Sequence, residues 1–195
     1  MIQHFTAPDG VKLAYRDEGE GIPILCLSGL TRSGTDFDYI APYLADARLI
    51  RLDYRGRGQS DWADPSTYAI PTEAKDVLCL LDHLKLPKAA IIGTSRGGMI
   101  AMYLAAHAKS RLSGVCLVDI GPTLEHAGLA FIKSYIGKNP SVSSYEKLAI
   151  ARARFAKGFD NVPQSRWLED VQKHFTLSTD GLKINYDPQL ATVFS

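Results

Sequence analysis

Gly93-Thr94-Ser95-Arg96-Gly97 sets a serine between two glycines, with the apolar run "KAAII" before it and the helix-like "GGMIAMYLAAHA" after it. A hydroxyl on a sharp turn between a strand and a helix is displayed for attack on a carbonyl carbon. The flanking glycines let strand and helix approach without a Cβ clash. A helix opening at Arg96 adds free N–H groups and a positive dipole end beside the reacting centre. The competing reading is a structural serine in a tight turn, and the strand and helix on the expected sides favour the nucleophile. A serine nucleophile also needs a base.

Two more stretches bear on this chemistry. "LCLSGLTRSGTDF" follows an apolar run and is either a glycine-containing loop that turns the chain or a source of backbone donors for a developing negative charge. In "RLDYRGRGQSDW", glycines 56 and 58 suit a tight strand exit, with Arg55 and Asp61 as loop hydrogen-bonders. A phosphate-binding loop is a poor alternative, because no Gly-Lys-Ser/Thr follows.

The elements that must position these residues are legible from apolar spacing. "MIQHF" and "VKLAYR" flank Asp9-Gly10 and predict a hairpin. "IPILCLS", "ARLIRLDYR", "KAAIIGTS" and "LSGVCLVDI" are nearly continuous apolar strands. Between them lie helical patterns: "DFDYIAPYLAD", "TEAKDVLCLLDHLKL" with Thr72 as its N-cap, and "GGMIAMYLAAHA". Strands apolar throughout predict an α/β class with a doubly wound, mostly parallel sheet covered on both faces. After Gly121-Pro122 come three helix-period segments, "LEHAGLAFIKSYIGK", "SSYEKLAIARARFAKGF" and "PQSRWLEDVQKHF", with no strand pattern until "GLKINYD". This predicts a core over 1–122 and a helical cap or lid over 123–195.

Composition narrows the partners. A net charge of +1 gives no electrostatic case for nucleic acid or an anionic membrane, and no apolar stretch reaches the length of a membrane span. "IARARFAKGF" reads as a solvated helix face rather than a binding patch. Met1 leads into no signal-like segment, and Cys26, Cys79 and Cys116 read as reduced core residues, so a cytoplasmic location is expected. No cluster has ligand spacing, so no metal or organic cofactor is expected.

The elbow at Ser95, the "SGLTRSG" loop and the "D-x-R-G-x-G-x-S" segment at Asp53, Arg55, Gly56, Gly58 and Ser60 together resemble the α/β-hydrolase superfamily over residues 2 to 122. "GTSRGG" and "VDIGP" look like its small bacterial esterases and enol-lactonases. The resemblance implies acyl transfer to water. Ser95 would attack, and the backbone N–H groups of Leu30 and Arg96 would form the oxyanion hole. A serine rather than an aspartate at the elbow argues against epoxide hydrolases and haloalkane dehalogenases.

The family's triad runs Ser, Asp/Glu, His, with the acid and the histidine beyond the cap. The sequence reaches "NYDPQLATVFS" where the cap should be returning to the core, so the last two core strands are expected to be missing, and the triad histidine with them. Asp119 is either the triad acid, as in some members, or the residue that orders the loop entering the cap. His4, His83, His107 and His174 read as surface or packing residues, and His126 alone follows the carboxyl end of a strand. With that strand order "GVCLVD" becomes an uncovered edge, and self-association through it is expected. The function read is a serine hydrolase of a small ester, lactone or related acyl compound. The alternatives are a small-molecule-binding module of the same fold and one half of a split hydrolase. Phe131, Tyr135, Phe155, Phe159, Trp167 and Phe175 are candidates for the pocket wall, and spacing alone does not say which of them face it.

Overall fold

The computed structural model describes residues 1–123, 126–156 and 158–194. The apolar runs become one six-stranded sheet. β1 (Ile2–Thr6) and β2 (Lys12–Glu18) form the antiparallel hairpin expected at Asp9-Gly10, pairing Ile2 with Arg16 and Thr6 with Lys12. β3 (Ile22–Leu27), β4 (Ala47–Leu52), β5 (Ala89–Thr94) and β6 (Leu112–Val118) complete the order β1-β2-β4-β3-β5-β6. β2 meets β4 antiparallel, and the pairs β3–β4, β3–β5 and β5–β6 are parallel.

Both faces of the central strands are covered, which is why their sequences do not alternate. On one face Leu25, Leu27, Ile50, Leu52 and Ile91 pack with Val77, Leu80 and Leu81 of α1 (Ile70–His83) and with Ile100 and Leu104 of α2 (Arg96–His107). On the other, Ile24, Cys26, Leu49 and Ile92 pack with Phe37 and Leu44. Each such side chain removed from water stabilises the fold by about 1.5–3 kcal/mol.

Three local expectations change. The stretch expected as a helix after β3 is two short 3-10 turns, Gly34–Tyr39 and Ala41–Tyr43. Pro42 cannot donate the hydrogen bond a continuing α-helix would need there. Thr72 does not cap α1. The helix opens three residues earlier, with Ala69 at the N-cap and Pro71 in the first turn, where a missing N–H costs nothing. Cys116 is not a core residue: β6 is the outer strand with β5 as its one partner among the described residues, and Cys116 is exposed while Cys26 is buried.

Beyond residue 122 the chain leaves the sheet. α3 (His126–Tyr135), α4 (Tyr145–Phe155) and α5 (Gln164–His174) follow, then a separate antiparallel pair, β7 (Phe175–Ser178) and β8 (Gly181–Ile184). Phe175 therefore opens a strand instead of closing the third helix, and Phe175 faces Ile184 across the hairpin. The chain then returns to the sheet's loops. The Asp187 N–H donates to the Gly56 carbonyl at 2.8 Å, and the Tyr68 hydroxyl donates to the buried Asp187 carboxylate at 2.5 Å.

Candidate active site

Ser95 sits at φ +50° and ψ −111°, left-handed backbone that side chains other than glycine rarely adopt. Such strain costs on the order of 1–3 kcal/mol and persists only where the surroundings enforce it. The enforcement is visible. The Ser95 N–H donates to the Val118 carbonyl at 3.1 Å, and the Gly97 N–H donates to the Ser28 carbonyl at 3.0 Å. A Cβ at Gly93 would lie 2.6 Å from the Gly97 carbonyl oxygen, and one at Gly97 would strike the Leu27 carbonyl. Gly93 thus lets α2 approach β5, and Gly97 lets it approach the end of β3.

The Leu30 and Arg96 amides have no backbone acceptor among the described residues. Both residues are fixed from behind by charge. Arg57 donates from Nε to the Leu30 carbonyl at 2.8 Å and from Nη1 to Glu73 Oε1 at 2.7 Å. Arg96 donates from Nε to the other oxygen, Glu73 Oε2, at 2.6 Å, and from Nη2 to the Tyr68 carbonyl at 2.8 Å. One buried carboxylate of α1 therefore ties the Leu30 loop to the start of α2. Arg55 works nearby in the same way, gripping Asp76 of α1 with Nε at 2.8 Å and Nη2 at 2.6 Å. Asp53 accepts from the Gly34 and Gln59 amides at 2.7 and 3.0 Å, and burial pushes its pKa up.

Glu73, Arg57 and Asp76 were not singled out from the sequence. A signal was present in α1, where residues 73, 76, 77, 80 and 81 are all buried. Two carboxylates on the inner stripe of an amphipathic helix demand buried cations.

Ser95, Leu30 and Asp119 line one cavity of about 620 Å³ together with Phe131, Tyr135, Phe155 and Trp167. Arg96, expected beside Leu30 in the oxyanion hole, is not among the residues of its wall. Phe175 lines a neighbouring cavity, and Phe159 packs edge-on to Trp167 with ring centroids 6.1 Å apart. Asp119 is exposed at φ +53°. No histidine lines the cavity among the described residues. His83 meets the Tyr15 hydroxyl at 3.1 Å, and His107 stacks on Tyr103. The side chain of His126 lies outside the described residues. No group of three or more His, Cys, Asp or Glu side chains gathers as a metal site among the described residues.

His174 is buried in a second charge cluster that joins α5 to the loop after β3. Its Nε2 lies 2.7 Å from Asp36 Oδ1, its Nδ1 lies 2.7 Å from the Asp170 carbonyl, and Arg32 Nη1 is 3.0 Å from Nδ1. Arg32 bonds Asp36 at 2.9 Å and Asp170 at 3.1 Å, and Arg152 of α4 also bonds Asp170. Burial opposes a charged His174, but its bonds to Asp170 and Asp36 outweigh that and raise its pKa. Burial likewise opposes ionisation of Asp36 and Asp170, and their bonds to His174 with the nearby arginine charges hold both below the usual carboxylate range.

Comparison with known proteins places this geometry in a family. A family model described as the alpha/beta hydrolase fold matches residues 22–165. The 3-hydroxybutyrate-oligomer hydrolase of Cupriavidus necator is 34% identical over 203 residues, covering 96% of this chain and 68% of that protein. The soluble epoxide hydrolase of Corynebacterium is 32% identical over 133 residues, covering 67% of this chain and 46% of that protein. An alpha/beta hydrolase from Novosphingobium aromaticivorans, known from its crystal structure, superposes with a TM-score of 0.90 at 32% identity, over 97% of this chain and 69% of that one. Relatives with different named activities share the frame, so similarity alone leaves the chemistry open. On the sheet order, the strained serine turn and these matches, the chain belongs to the α/β-hydrolase fold family.

Proposed function

We propose that the protein is a serine hydrolase acting on a small ester, lactone or related acyl compound, with residues 123–195 as a cap over a core of residues 1–122. The observation that carries this reading is Ser95, held at a strained turn in the wall of a cavity lined by aromatic side chains. Its hydroxyl attacks the acyl carbon and forms a tetrahedral intermediate. The Leu30 and Arg96 amides donate to the oxyanion, leaving-group expulsion gives an acyl-serine, and water releases the acid. Losing one such donor costs about 10²–10³ in rate.

The reading assigns Asp119 to ordering the entry to the cap, on its left-handed backbone and its exposure. It also takes the base from outside the described cavity wall, so the 195-residue chain alone turns over poorly. A serine hydrolase without a triad member keeps only about 10³–10⁴-fold acceleration over water. A cytoplasmic setting is part of the same proposal, supported by the three unpaired cysteines. A second reading, a binding module of the same fold, draws on the lack of a histidine in the described wall.

Imidazole rescue separates the two. Hydrolysis of p-nitrophenyl butyrate by the purified chain is expected to rise with added imidazole beyond the protein-free background, and Ser95→Ala is expected to abolish that increment. An increment that survives in Ser95→Ala would remove the hydrolase reading, and no increment at all would favour the binding module.

A further inference from the structure

The cavity beside Ser95 is mostly carbon, and the charged side chains in its wall are Asp36, Asp119 and two guanidinium groups: Arg32, from the loop after β3, and Arg152, from α4. Their hydrogen bonding differs. Arg32 uses Nε on Asp36 and Nη2 on Asp170, with Nη1 against the His174 ring. Arg152 donates to Asp170 from Nη1 alone, and among the described residues its Nε and Nη2 have no hydrogen-bond partner. Its Cζ lies 5.1 Å from the centre of the Phe175 ring, and it stands where the cavity meets a second one of about 390 Å³.

The partners around it are shared. Arg32 and Arg152 share Asp170, and Arg32 and His174 share Asp36. Two guanidinium groups and the His174 ring therefore share two carboxylates. Nearby, Lys173 pairs with Asp38 and Glu169, Arg166 pairs with Glu169, and Asp119 lines the same cavity beside Ser95. A guanidinium with open donors, set beside aromatic carbon, is a receptor for a carboxylate. The solvated-face reading of "IARARFAKGF" thus holds for Arg154, which is exposed, and not for Arg152.

We propose that Arg152 anchors a carboxylate at the distal end of the substrate, so that the acyl compound held beside Ser95 is a monoanion: an apolar chain with an ester at one end and a free acid at the other. This rests on the cavity being the acyl site. Phe131, Tyr135, Phe155 and Trp167 then enclose the chain while the acid end meets the open donors of Arg152.

Calorimetric titration of the purified chain with monomethyl glutarate and with dimethyl glutarate tests this without needing turnover. The monoester is expected to bind roughly tenfold or more tightly than the diester, as a charge-assisted hydrogen bond implies. Arg152→Gln is expected to lower monoester affinity to the diester's level, and Arg154→Gln to leave the preference intact. Equal binding of the two esters would overturn the carboxylate anchor and leave the cavity reading standing. A monoester preference that survives in Arg152→Gln would overturn the role of Arg152. Binding of neither ester would remove this inference and the acyl-site reading together.

Discussion

Glu73 and Asp170 each hold two arginines, one in the sheet's loops and the other between the helical segment and the loop after β3. Glu73 and Arg57 have fully buried side chains, whereas those of Asp170, Arg32 and Arg152 are 20%, 32% and 31% exposed. The pattern of bonds is alike and the surroundings are not. A charge removed from the dry cluster leaves its partners without water to replace it, while the wetter cluster can exchange partners with solvent. One fixes the backbone near Ser95, and the other attaches a helical segment that acid, base or salt can loosen.

The largest test of this contrast is Glu73→Ala. It strands Arg57 and Arg96, and breaking a buried pair in this way costs about 3–5 kcal/mol. Urea unfolding followed by circular dichroism measures it. A loss under about 1 kcal/mol would mean that the two clusters do not differ as their burial implies.

Tyr68→Phe comes next. It removes the donor to Asp187, a bond that ties the end of the helical segment to the core, and leaves a buried carboxylate oxygen short of a partner. The expected cost is about 1–3 kcal/mol in the same assay. A neutral result would show that water supplies the missing bond.

The third test uses pH, and its sign follows from the pKa directions. His174 has a folded pKa above its unfolded value, so its contribution is complete below about 6.5 and fades as pH rises through the raised value. Asp36 and Asp170 have folded pKa values below their unfolded ones, so their contributions hold above about 4 and fade as pH falls further. Attachment of α5 should be strongest between these limits. Hydrogen exchange at Val171, corrected for intrinsic rates, is expected to quicken from pH 6 to pH 9 more than exchange at Val77 of α1. Equal pH responses would contradict the contrast.

The smallest expected effect concerns the outer strand. Val115 and Leu117 of β6 are 42% and 37% exposed, and no charged residue lies within Leu112–Val118. Self-association through this edge is expected by light scattering at high concentration, with Val115→Lys reducing it. A monodisperse monomer whose β6 amides resist exchange would show that something else covers the edge.

How far the sequence could be read depended on the range of the interactions. The strands along the chain and the serine turn rest on local patterns, the continuous apolar runs and Gly93-Thr94-Ser95-Arg96-Gly97, and both were legible, whereas the order of the strands in the sheet came only with the family resemblance. Glu73 and Asp76 were half legible, since their spacing placed them on the packed face of α1 without naming Arg57 or Arg55 as partners. The bond from Arg32 to Asp170 spans 138 residues, and nothing near either residue announces it. Cys116 was read as a core residue from its apolar neighbours alone, although the uncovered edge expected for the same strand already implied exposure. Phe175 was misread because a helix pattern continues smoothly into a short strand.

The central claim is that Ser95 is a displayed nucleophile, and fluorophosphonate labelling followed by peptide mass mapping tests it most directly. The account predicts one adduct per chain, on Ser95, forming faster when imidazole is added and absent in Ser95→Ala. Labelling spread over other hydroxyls, or unchanged in Ser95→Ala, would contradict it.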